Sequence, residues 1–477
     1  MPDRDTLLDA LRALLPKGAI LEEEEQRRPY ECDGLSAYRE LPWIVVLPET
    51  VEQVQAVVRL CDEAGVPIVA RGAGTGLSGG ALPHKAGVLL SLAKFSAILD
   101  IDRVNRTVRV QPGVRNLAIS EAVAPYGLYY APDPSSQIAC TIGGNVAENS
   151  GGVHCLKYGL TVHNVLAVKV VTVDGELVEV GAESLDVAGL DLMAVLIGSE
   201  GMLGIVVEVT LKLLPLPRCA QVVLAAFDDV GKAGSAVGDI IAAGIIPAGL
   251  EMMDGPAIKA ADDFVQAGYP RDAAAVLLCE VDGTEAEVKE HIERVTQLLI
   301  ECGATEVRAA RDEAERQRFW KGRKAAFPAV GRISPDYYCM DGTIPRRRLP
   351  EVLERTAELS RQYDLPVANV FHAGDGNLHP LILYDANNPG ELERTEALGG
   401  EILELCVAVG GTITGEHGVG IEKINQMCVQ FTPEELEQFR RLKRAFDPQE
   451  LLNPGKGIPT PRRCSEYRAL PDKAATP

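Results

Sequence analysis

Three of the seven histidines in this 477-residue chain lie in two short, glycine-containing segments near its C-terminal end. His372 and His379 bracket residues 373–378, and His417 directly follows Glu416 between two glycines. Two imidazoles and a carboxylate form a donor set that zinc, iron(II) and manganese(II) all accept. We predict that His372, His379 and Glu416 bind one divalent metal ion. A histidine pair at a hairpin can also be purely structural, and these residues alone leave both interpretations open.

A β-hairpin is expected to position the two histidines. The apolar run 367–371 leads into His372 and the apolar run 381–384 leaves His379, while residues 374–377 have the glycine, aspartate and asparagine of a turn. Residues that face each other across a strand pair are close enough to share one ion. The carboxylate ligand then comes from a separate, glycine-flanked loop.

Bulk composition excludes several classes of protein. The length exceeds the usual limit for one hydrophobic core, so at least two domains are expected. A net charge of −21 repels nucleic acid and anionic lipid. No two of the eleven cysteines are spaced as C-x-x-C, so we expect no iron–sulfur cluster in this chain. Without a signal segment or an apolar run of about 18 residues, we expect a cytoplasmic protein with reduced thiols and no direct membrane insertion.

The pattern of predicted secondary structure changes near residue 217, after the segment Leu-Pro-Leu-Pro, which marks a domain boundary. Before it, a helix begins at Thr50 with a capping box to Gln53 and ends at Gly65, and hairpins are predicted at 98–101 with 107–110 and at 166–173 with 177–180. After it, apolar strands alternate with amphipathic helices. The strands are predicted at 222–227, 275–281, 337–344 and 367–371, and the helices at 285–302, 349–363 and 433–446.

Three glycine-rich loops indicate a phosphate-containing ligand. Residues 71–80 carry five glycines directly after a strand, so backbone amides can converge on an anion. This loop matches G-x-G-x-x-G, but Pro83 and Gly87 interrupt the helix that a Rossmann unit requires. Loops 141–152 and 198–205 repeat the pattern. Any one loop could be a tight turn, whereas three together favour a dinucleotide bound in an extended pose.

Longer motifs carry a family resemblance over nearly the whole chain. Residues 48–205 resemble the FAD-binding domain of the vanillyl-alcohol oxidase/p-cresol methylhydroxylase (PCMH) superfamily, and residues 216 to about 459 resemble the cap domain of its FAD-linked 2-hydroxy-acid dehydrogenases, above all those that oxidise glycolate. The motifs are Arg-Gly-x-Gly-Thr-Gly-x-Ser at 71–78, Pro-Asp-Pro-Ser at 132–135, Thr-x-Gly-Gly-Asn at 141–145, Gly-x-x-Gly at 201–204, Phe-Trp-x-Gly-Arg-Lys at 319–324, the segment 327–345, both histidine segments, and Asn-Pro-Gly-Lys at 453–456.

The resemblance implies an α+β protein with two domains. A PCMH-type FAD-binding domain with an N-terminal helix is expected at 1–217. A cap and substrate domain, an antiparallel sheet covered by helices, is expected at 218–460, with its last part (about 433–460) returning to the FAD domain, and 461–477 is a tail. The residues expected to bind FAD are Arg71, Gly72, Ala73, Gly74, Thr75, Gly76, Ser78, Pro134, Ser135, Thr141, Gly144, Asn145, Ser150, Gly151, Gly152, Glu200, Gly201, Ile205 and Asn453.

Two departures from the family pattern sharpen the expectation. Many relatives tether the flavin through a histidine near the first glycine loop, and this loop has none, so the FAD should be noncovalent. Related D-2-hydroxyglutarate enzymes have a lysine about where Cys339 lies and an asparagine about where Leu381 lies. The loss of both polar groups favours a smaller acid without a second carboxylate.

The chemistry expected is oxidation of glycolate, and also D-lactate, to the 2-oxo acid by hydride transfer to flavin. His417 is the candidate general base and Arg323 the candidate clamp for the substrate carboxylate. Arg323 lies among other basic residues, so a solvated basic face is the alternative. Lys456 either approaches the cofactor or is an ordinary surface lysine.

The resemblance further implies zinc as the metal and partner subunits that carry the electrons away. These are a second FAD-domain protein and an iron–sulfur protein, through which the chain would be peripheral at the inner membrane. The alternatives are a stand-alone D-lactate or D-2-hydroxyglutarate dehydrogenase and a noncatalytic, FAD-binding scaffold subunit.

Overall fold

The computed structural model describes residues 4–184 and 188–469, which divide into two compact units. The first unit comprises Met1–Gly151, Leu160–Leu216 and Glu416–Pro477, and the second comprises Gly152–Gly159 and Pro217–Gly415. The chain therefore enters the second unit twice. No helix in the described ranges has both the length and the apolar character needed to cross a bilayer.

The first unit contains two main sheets. Three parallel strands and one antiparallel strand form a sheet in the order β1-β2-β4-β3, and five antiparallel strands form a sheet in the order β5-β6-β10-β8-β9. A short pair, β7 and β11, is separate. The strands are β1 Ile20–Leu21, β2 Ile44–Val46, β3 Ile68–Arg71, β4 Val88–Ser91, β5 Ile98–Asp102, β6 Thr107–Val110, β7 Leu128–Tyr129, β8 Val165–Val171, β9 Leu177–Gly181, β10 Ile205–Lys212 and β11 Leu214–Pro215.

The helices of the first unit cover these sheets. They are α1 Arg4–Leu14, α2 Glu24–Arg27, α3 Val51–Ala64, α4 Asn116–Val123, α5 Ile142–Glu148, α7 Leu192–Leu196, α15 Met427–Gln430, α16 Pro433–Phe446 and α17 Pro461–Arg468. Cys428 in α15 and Cys464 in α17 form a disulfide with Cα atoms 5.3 Å apart. The expectation of reduced thiols throughout the chain is thus wrong for this pair, because the two short helices bring the sulfurs together, while the other nine cysteines form no disulfide.

Helix α3 shows why the local pattern was predictive. Thr50 accepts a hydrogen bond from the Gln53 amide, and Gly65 ends the helix at φ 62°, a conformation that glycine adopts without strain. Four apolar residues at helical spacing are fully buried: Val54, Val57, Val58 and Cys61. The capping box is wrong in one detail, because the Gln53 side chain accepts from the Glu49 amide rather than from that of Thr50.

The second unit is built on one antiparallel sheet of seven strands in the order β15-β12-β14-β13-β18-β20-β16. Helices cover it, as predicted for the cap. The strands are β12 Cys219–Phe227, β13 Gly249–Asp254, β14 Ala275–Gly283, β15 Glu306–Ala309, β16 Asp336–Cys339, β17 Gly342–Thr343, β18 Val367–Phe371, β19 Asn377–Leu378 and β20 Pro380–Tyr384, and the helices are α6 Cys155–Tyr158, α8 Val230–Ala242, α9 Gly255–Val265, α10 Glu285–Glu301, α11 Glu313–Lys324, α12 Ala326–Val330, α13 Leu349–Tyr363 and α14 Glu391–Ala408.

One predicted strand of this sheet is broken in the structure. The run 337–344 becomes β16 on the large sheet and β17, which pairs with β19 instead. Asp341 lies at the break, where its carboxylate accepts hydrogen bonds from the Thr414 hydroxyl at 2.6 Å and the Gly415 amide at 3.0 Å. This buried acceptor role is incompatible with a continuous apolar strand.

The predicted histidine hairpin is present. Strands β18 and β20 are antiparallel, with Asn369 opposite Pro380, so that His372 directly follows one strand and His379 directly precedes the other. The turn between them uses Gly376 at φ 84°. A bridge between His372 and Asn377 closes the turn.

Candidate active site

The first glycine loop of the first unit lies at the end of β3. None of the backbone amides of residues 72–80 donates a hydrogen bond to another group in the described part of the chain, which leaves a row of donors for a ligand. A Cβ at Gly72 would lie 2.2 Å from Thr141 Oγ1. Only glycine therefore allows the first and second loops to approach this closely.

The segment 141–152, predicted as the second loop, is helical over most of its length, because α5 spans Ile142–Glu148. It is tied to the segment 132–135 that precedes it. The side-chain amide of Asn116 donates to Pro132 O at 3.1 Å and to Asn145 Oδ1 at 3.0 Å. Asn145 in turn donates to Ser150 Oγ at 3.3 Å. These bonds bring the predicted FAD-binding residues near 132–135, 145 and 150 together within the first unit.

Asn453 joins the first loop to the third. Its side-chain amide donates to Gly80 O at 2.9 Å and to Glu200 O at 2.6 Å, and all three residues lie in the first unit. Glu200 and Gly201 adopt φ of 51° and 70°, which turns the third loop sharply before β10 begins at Ile205. Lys456 donates to Asn453 Oδ1 at 2.5 Å and is 5% exposed, so its interpretation as an ordinary surface lysine is wrong.

Two buried hydroxyls show that this cradle fits a ligand. Ser78 Oγ and Thr141 Oγ1 are shielded from solvent and have no hydrogen-bond partner within residues 4–184 and 188–469. Buried hydroxyls without partners are costly, and a bound phosphate or ribitol would satisfy them. The row of amide donors and the close approach of the loops at Gly72 also indicate a ligand-binding site. The residues present therefore fit an extended, phosphate-containing cofactor such as FAD.

Buried ionisable side chains surround the loops. Burial raises the pKa of Glu148 well above its usual range, and the neighbouring Glu200 carboxylate raises it further. Burial lowers the pKa of the Lys456 ammonium to about 8, against the opposing pull of Asp33 and Glu200. Arg71, which donates to Tyr30 O at 3.2 Å, also has a pKa lowered by burial. The cradle thus combines a buried acid whose pKa is raised, Glu148, with two basic side chains, Lys456 and Arg71.

A glycine-rich loop in the same unit carries Glu416 and His417. The Gly151 amide donates to Glu416 Oε2 at 2.9 Å. On the other side of His417, the amides of Val419 and Gly420 each donate to the Glu200 carboxylate at 2.7 Å. Residues of the second and third glycine-rich segments therefore hold both ends of the segment that contains the predicted base.

In the second unit, the two hairpin histidines are brought together. Their ring centroids are 5.0 Å apart at an interplanar angle of 85°, and both residues are buried. Phe327 packs edge-on against His379 with centroids 5.9 Å apart. Cys339 and Leu381 are paired across β16 and β20 and are also buried.

Each histidine is backed by a carboxylate that the sequence analysis missed. His372 Nδ1 lies 2.9 Å from Glu251 Oε1, and His379 Nε2 lies 3.3 Å from Asp341 Oδ1. Metal-binding histidines usually donate their second ring N–H to such an acceptor, which directs the other nitrogen's lone pair at the ion. With N–H on those atoms, the lone pairs are on His372 Nε2 and His379 Nδ1. This donor chemistry fits a divalent metal.

Arg323 is buried at 1% exposure, so the interpretation as a solvated basic face is wrong for this residue, although Arg318, Lys321 and Lys324 on the same helix are exposed. Its Nη2 lies 2.6 Å from Glu251 Oε2. Burial alone would raise the pKa of Glu251, but its interactions with His372 and Arg323 lower it overall. Glu251 is therefore an anion in contact with both predicted site residues.

Comparison with known proteins agrees with this architecture. Residues 216–457 match the family described as FAD linked oxidases, C-terminal domain, and residues 42–181 match the FAD binding domain family. The chain belongs to the FAD-linked oxidases. It is 67% identical to the glycolate oxidase subunit GlcD of Escherichia coli K12, over 98% of this chain and 94% of that protein.

Two further similarities bear on this FAD-linked oxidase. It is 32% identical to a D-lactate dehydrogenase of Anaerostipes hadrus, over 94% of this chain and 96% of that one. Its fold is similar to that of p-cresol methylhydroxylase, with a TM-score of 0.81, 18% identity, and coverage of 95% and 96%. The predicted family of FAD-linked enzymes, the PCMH-type fold and the assignment as an FAD-dependent oxidoreductase are thereby confirmed.

Proposed function

We propose that this FAD-linked oxidase oxidises glycolate to the 2-oxo acid, and D-lactate more slowly, as the flavin-binding subunit of a glycolate oxidase complex. The buried pair of His372 and His379, each backed by a carboxylate, carries the proposal, because an FAD-binding scaffold needs no such pair. The 67% identity to a glycolate oxidase subunit supports the choice of substrate.

The proposed metal ligands are His372, His379 and Glu416, with zinc as the ion. The amide of Gly415, the residue before Glu416, donates a hydrogen bond to Asp341, and the same carboxylate contacts His379. Because Glu416 directly follows Gly415 in the chain, this contact supports Glu416 as the third ligand. When bound, the metal would lower the pKa of a coordinated substrate hydroxyl. Metal analysis of protein purified without added metal tests this, and the absence of a stoichiometric divalent ion would remove the ligand assignment.

The proposed roles of the remaining side chains follow from their chemistry. Arg323 presents a planar guanidinium that can hold the substrate carboxylate. None of its three guanidinium nitrogens has a hydrogen-bond partner of good geometry among the described residues, although Nη2 lies within ion-pair distance of Glu251. His417 accepts the hydroxyl proton, since an imidazole titrates near neutral pH. The cradle at 71–80, 141–151, 200–201 and Asn453 holds FAD noncovalently. FAD, when bound, supplies the hydride acceptor.

Apolar Cys339 and Leu381 favour a small monocarboxylate over a diacid. Burying a second carboxylate against these side chains would be costly, because neither neutralises its charge. Anaerobic bleaching of the flavin by glycolate, D-lactate and D-2-hydroxyglutarate tests the choice. We expect the rates to fall in that order. Fastest bleaching by the five-carbon diacid would refute it, and no bleaching by any acid would favour the scaffold alternative.

A His379→Asn variant tests the site itself. We expect FAD content to stay unchanged and glycolate bleaching to slow by at least a hundredfold, because the variant loses one imidazole of the proposed metal set. An undiminished rate would remove His379 from the mechanism.

The electrons are proposed to leave through a second FAD-domain subunit and an iron–sulfur subunit. No C-x-x-C occurs in this chain, and the similar GlcD protein is named a subunit. The chain would then be cytoplasmic and reach the inner membrane through those partners. Co-purification of an iron–sulfur protein with the tagged chain from its native host tests this, and isolation of the chain alone at full acceptor activity would contradict it.

A further inference from the structure

Glu251 lies in the middle of β13 and is 1% exposed. Its two carboxylate oxygens have different partners: Oε1 faces His372 Nδ1 at 2.9 Å and Oε2 faces Arg323 Nη2 at 2.6 Å. One carboxylate therefore contacts both a proposed metal ligand and the proposed substrate clamp. All three residues lie in the second unit.

The orientation of Arg323 depends on this contact more than that of its neighbour on α11. Arg316, two helical turns earlier, pairs with both Glu313 and Glu280. Arg323 pairs within the described chain with Glu251 alone. If that single anionic partner is displaced, the buried guanidinium must follow it or remain as an unpaired charge, which is costly.

The carboxylate group is rigid and planar, so its two oxygens shift together. Any displacement of Oε1 by a change at His372 also displaces Oε2, and with it the guanidinium of Arg323. The reverse holds for a change at Arg323.

We propose that Glu251 is a positioning residue that couples metal binding at His372 to the orientation of Arg323 towards the substrate carboxylate. The inference rests on the proposed function. It adds that the metal and the carboxylate clamp do not act independently, because one buried acid holds both.

The chain offers a matched control in Glu280 on the neighbouring strand β14. Glu280 is also buried, at 3% exposure, and also contacts a histidine and an arginine of α11: His154 Nε2 at 3.3 Å and Arg316 Nη1 at 2.6 Å. Neither of these partners belongs to the proposed site. Glu280→Gln therefore reports what the loss of a buried acid does to the fold of the second unit alone.

The experiment compares Glu251→Gln and Glu280→Gln in the FAD-loaded, full-length protein. A glutamine keeps the size but has one oxygen, so either the histidine or the arginine loses its acceptor. For Glu251→Gln we expect zinc affinity, measured by dialysis against buffered zinc, to fall about 10- to 100-fold. We also expect the KM for glycolate to rise about tenfold or more, since the buried guanidinium loses its anionic partner. Glu280→Gln should stay within about twofold in both.

The coupling itself is tested by Arg323→Lys, which leaves the Glu251–His372 contact chemically intact. We expect its zinc affinity to fall several-fold although residue 323 is not a ligand, with unchanged FAD content. Unchanged zinc affinity overturns the coupling, and this variant remains informative where Glu251→Gln fails to fold.

Other outcomes are equally decisive. Equal losses in Glu251→Gln and Glu280→Gln would make Glu251 merely structural and overturn the inference. Wild-type protein that binds zinc and is bleached by glycolate, with Glu251→Gln indistinguishable from it, overturns the inference alone. Wild-type protein that neither binds zinc nor is bleached overturns the proposed function, and this inference with it.

Discussion

Asn453→Ala is expected to weaken both the fold of the first unit and its affinity for FAD. The side chain makes three buried contacts, to Gly80 O, to Glu200 O and from Lys456 Nζ. A buried neutral hydrogen bond contributes about 1 kcal/mol and a charged one about 2 kcal/mol. Residue 453 also sits at φ 45°, where asparagine is tolerated and alanine costs about 1 kcal/mol. Together these give a loss of about 5 kcal/mol, or about 3 kcal/mol where the freed groups find water.

Urea unfolding of the FAD-free protein measures this loss, and titration with FAD followed by flavin fluorescence measures the affinity. We expect the affinity to fall because Gly80 and Glu200 belong to two loops that the asparagine amide holds together. Gln449→Ala is the control. It removes one exposed hydrogen bond, to Asp62 at 3.1 Å, and should cost less than about 0.5 kcal/mol. A loss below about 1 kcal/mol in Asn453→Ala, or unchanged FAD affinity, would refute the reasoning.

Three further predictions concern stability. Burial raises the pKa of Asp254 to about 6 from 3.8. Between these values the folded state keeps a proton that the unfolded state has released, so this group's contribution to stability falls by about 2 kcal/mol as pH rises from 4 to 6. Asp254→Asn should flatten the pH dependence of the urea midpoint in that window, and an unchanged slope would contradict the assignment. Thr50→Ala should lower the free energy of unfolding by about 1 kcal/mol through loss of the helix cap, and no change would rule out the cap's role. Thiol titration in denaturant should count nine thiols without reductant and eleven with it, and eleven in both would disprove the Cys428–Cys464 disulfide.

The sequence predicted those parts of the fold whose causes are local. The cap at Thr50, the stop at Gly65 and the hairpin that flanks His372 and His379 each depend on residues that are near one another in the chain, as in the pairing of Val367 with Ile382. The interruption at Asp341 was not predictable in this way. Its cause is a set of hydrogen bonds to residues 414 and 415, more than seventy positions later.

The burial of Arg323 could have been predicted from its helical spacing, although the basic composition of the surrounding segment suggested exposure. The many basic residues of α11 favour a solvated face. Yet Arg323 follows Phe319 by four positions and Trp320 by three, which places it on the same helix face as two large apolar side chains. A cation on an apolar face must have a buried anion as partner.

The matching signal is a lone acid inside an apolar strand. Glu251 in Gly-Leu-Glu-Met-Met-Asp and Glu280 in Leu-Leu-Cys-Glu-Val are both such residues, and each pairs with an arginine of α11. Sequence alone cannot decide which acid belongs to the site. That is decided by the sheet order, because β13 lies beside β18 and so brings Glu251 next to the strand that ends just before His372, whereas β14 is one strand further away. The chemistry of each residue is thus readable from its neighbours in the chain, while its role follows from its neighbours in the sheet.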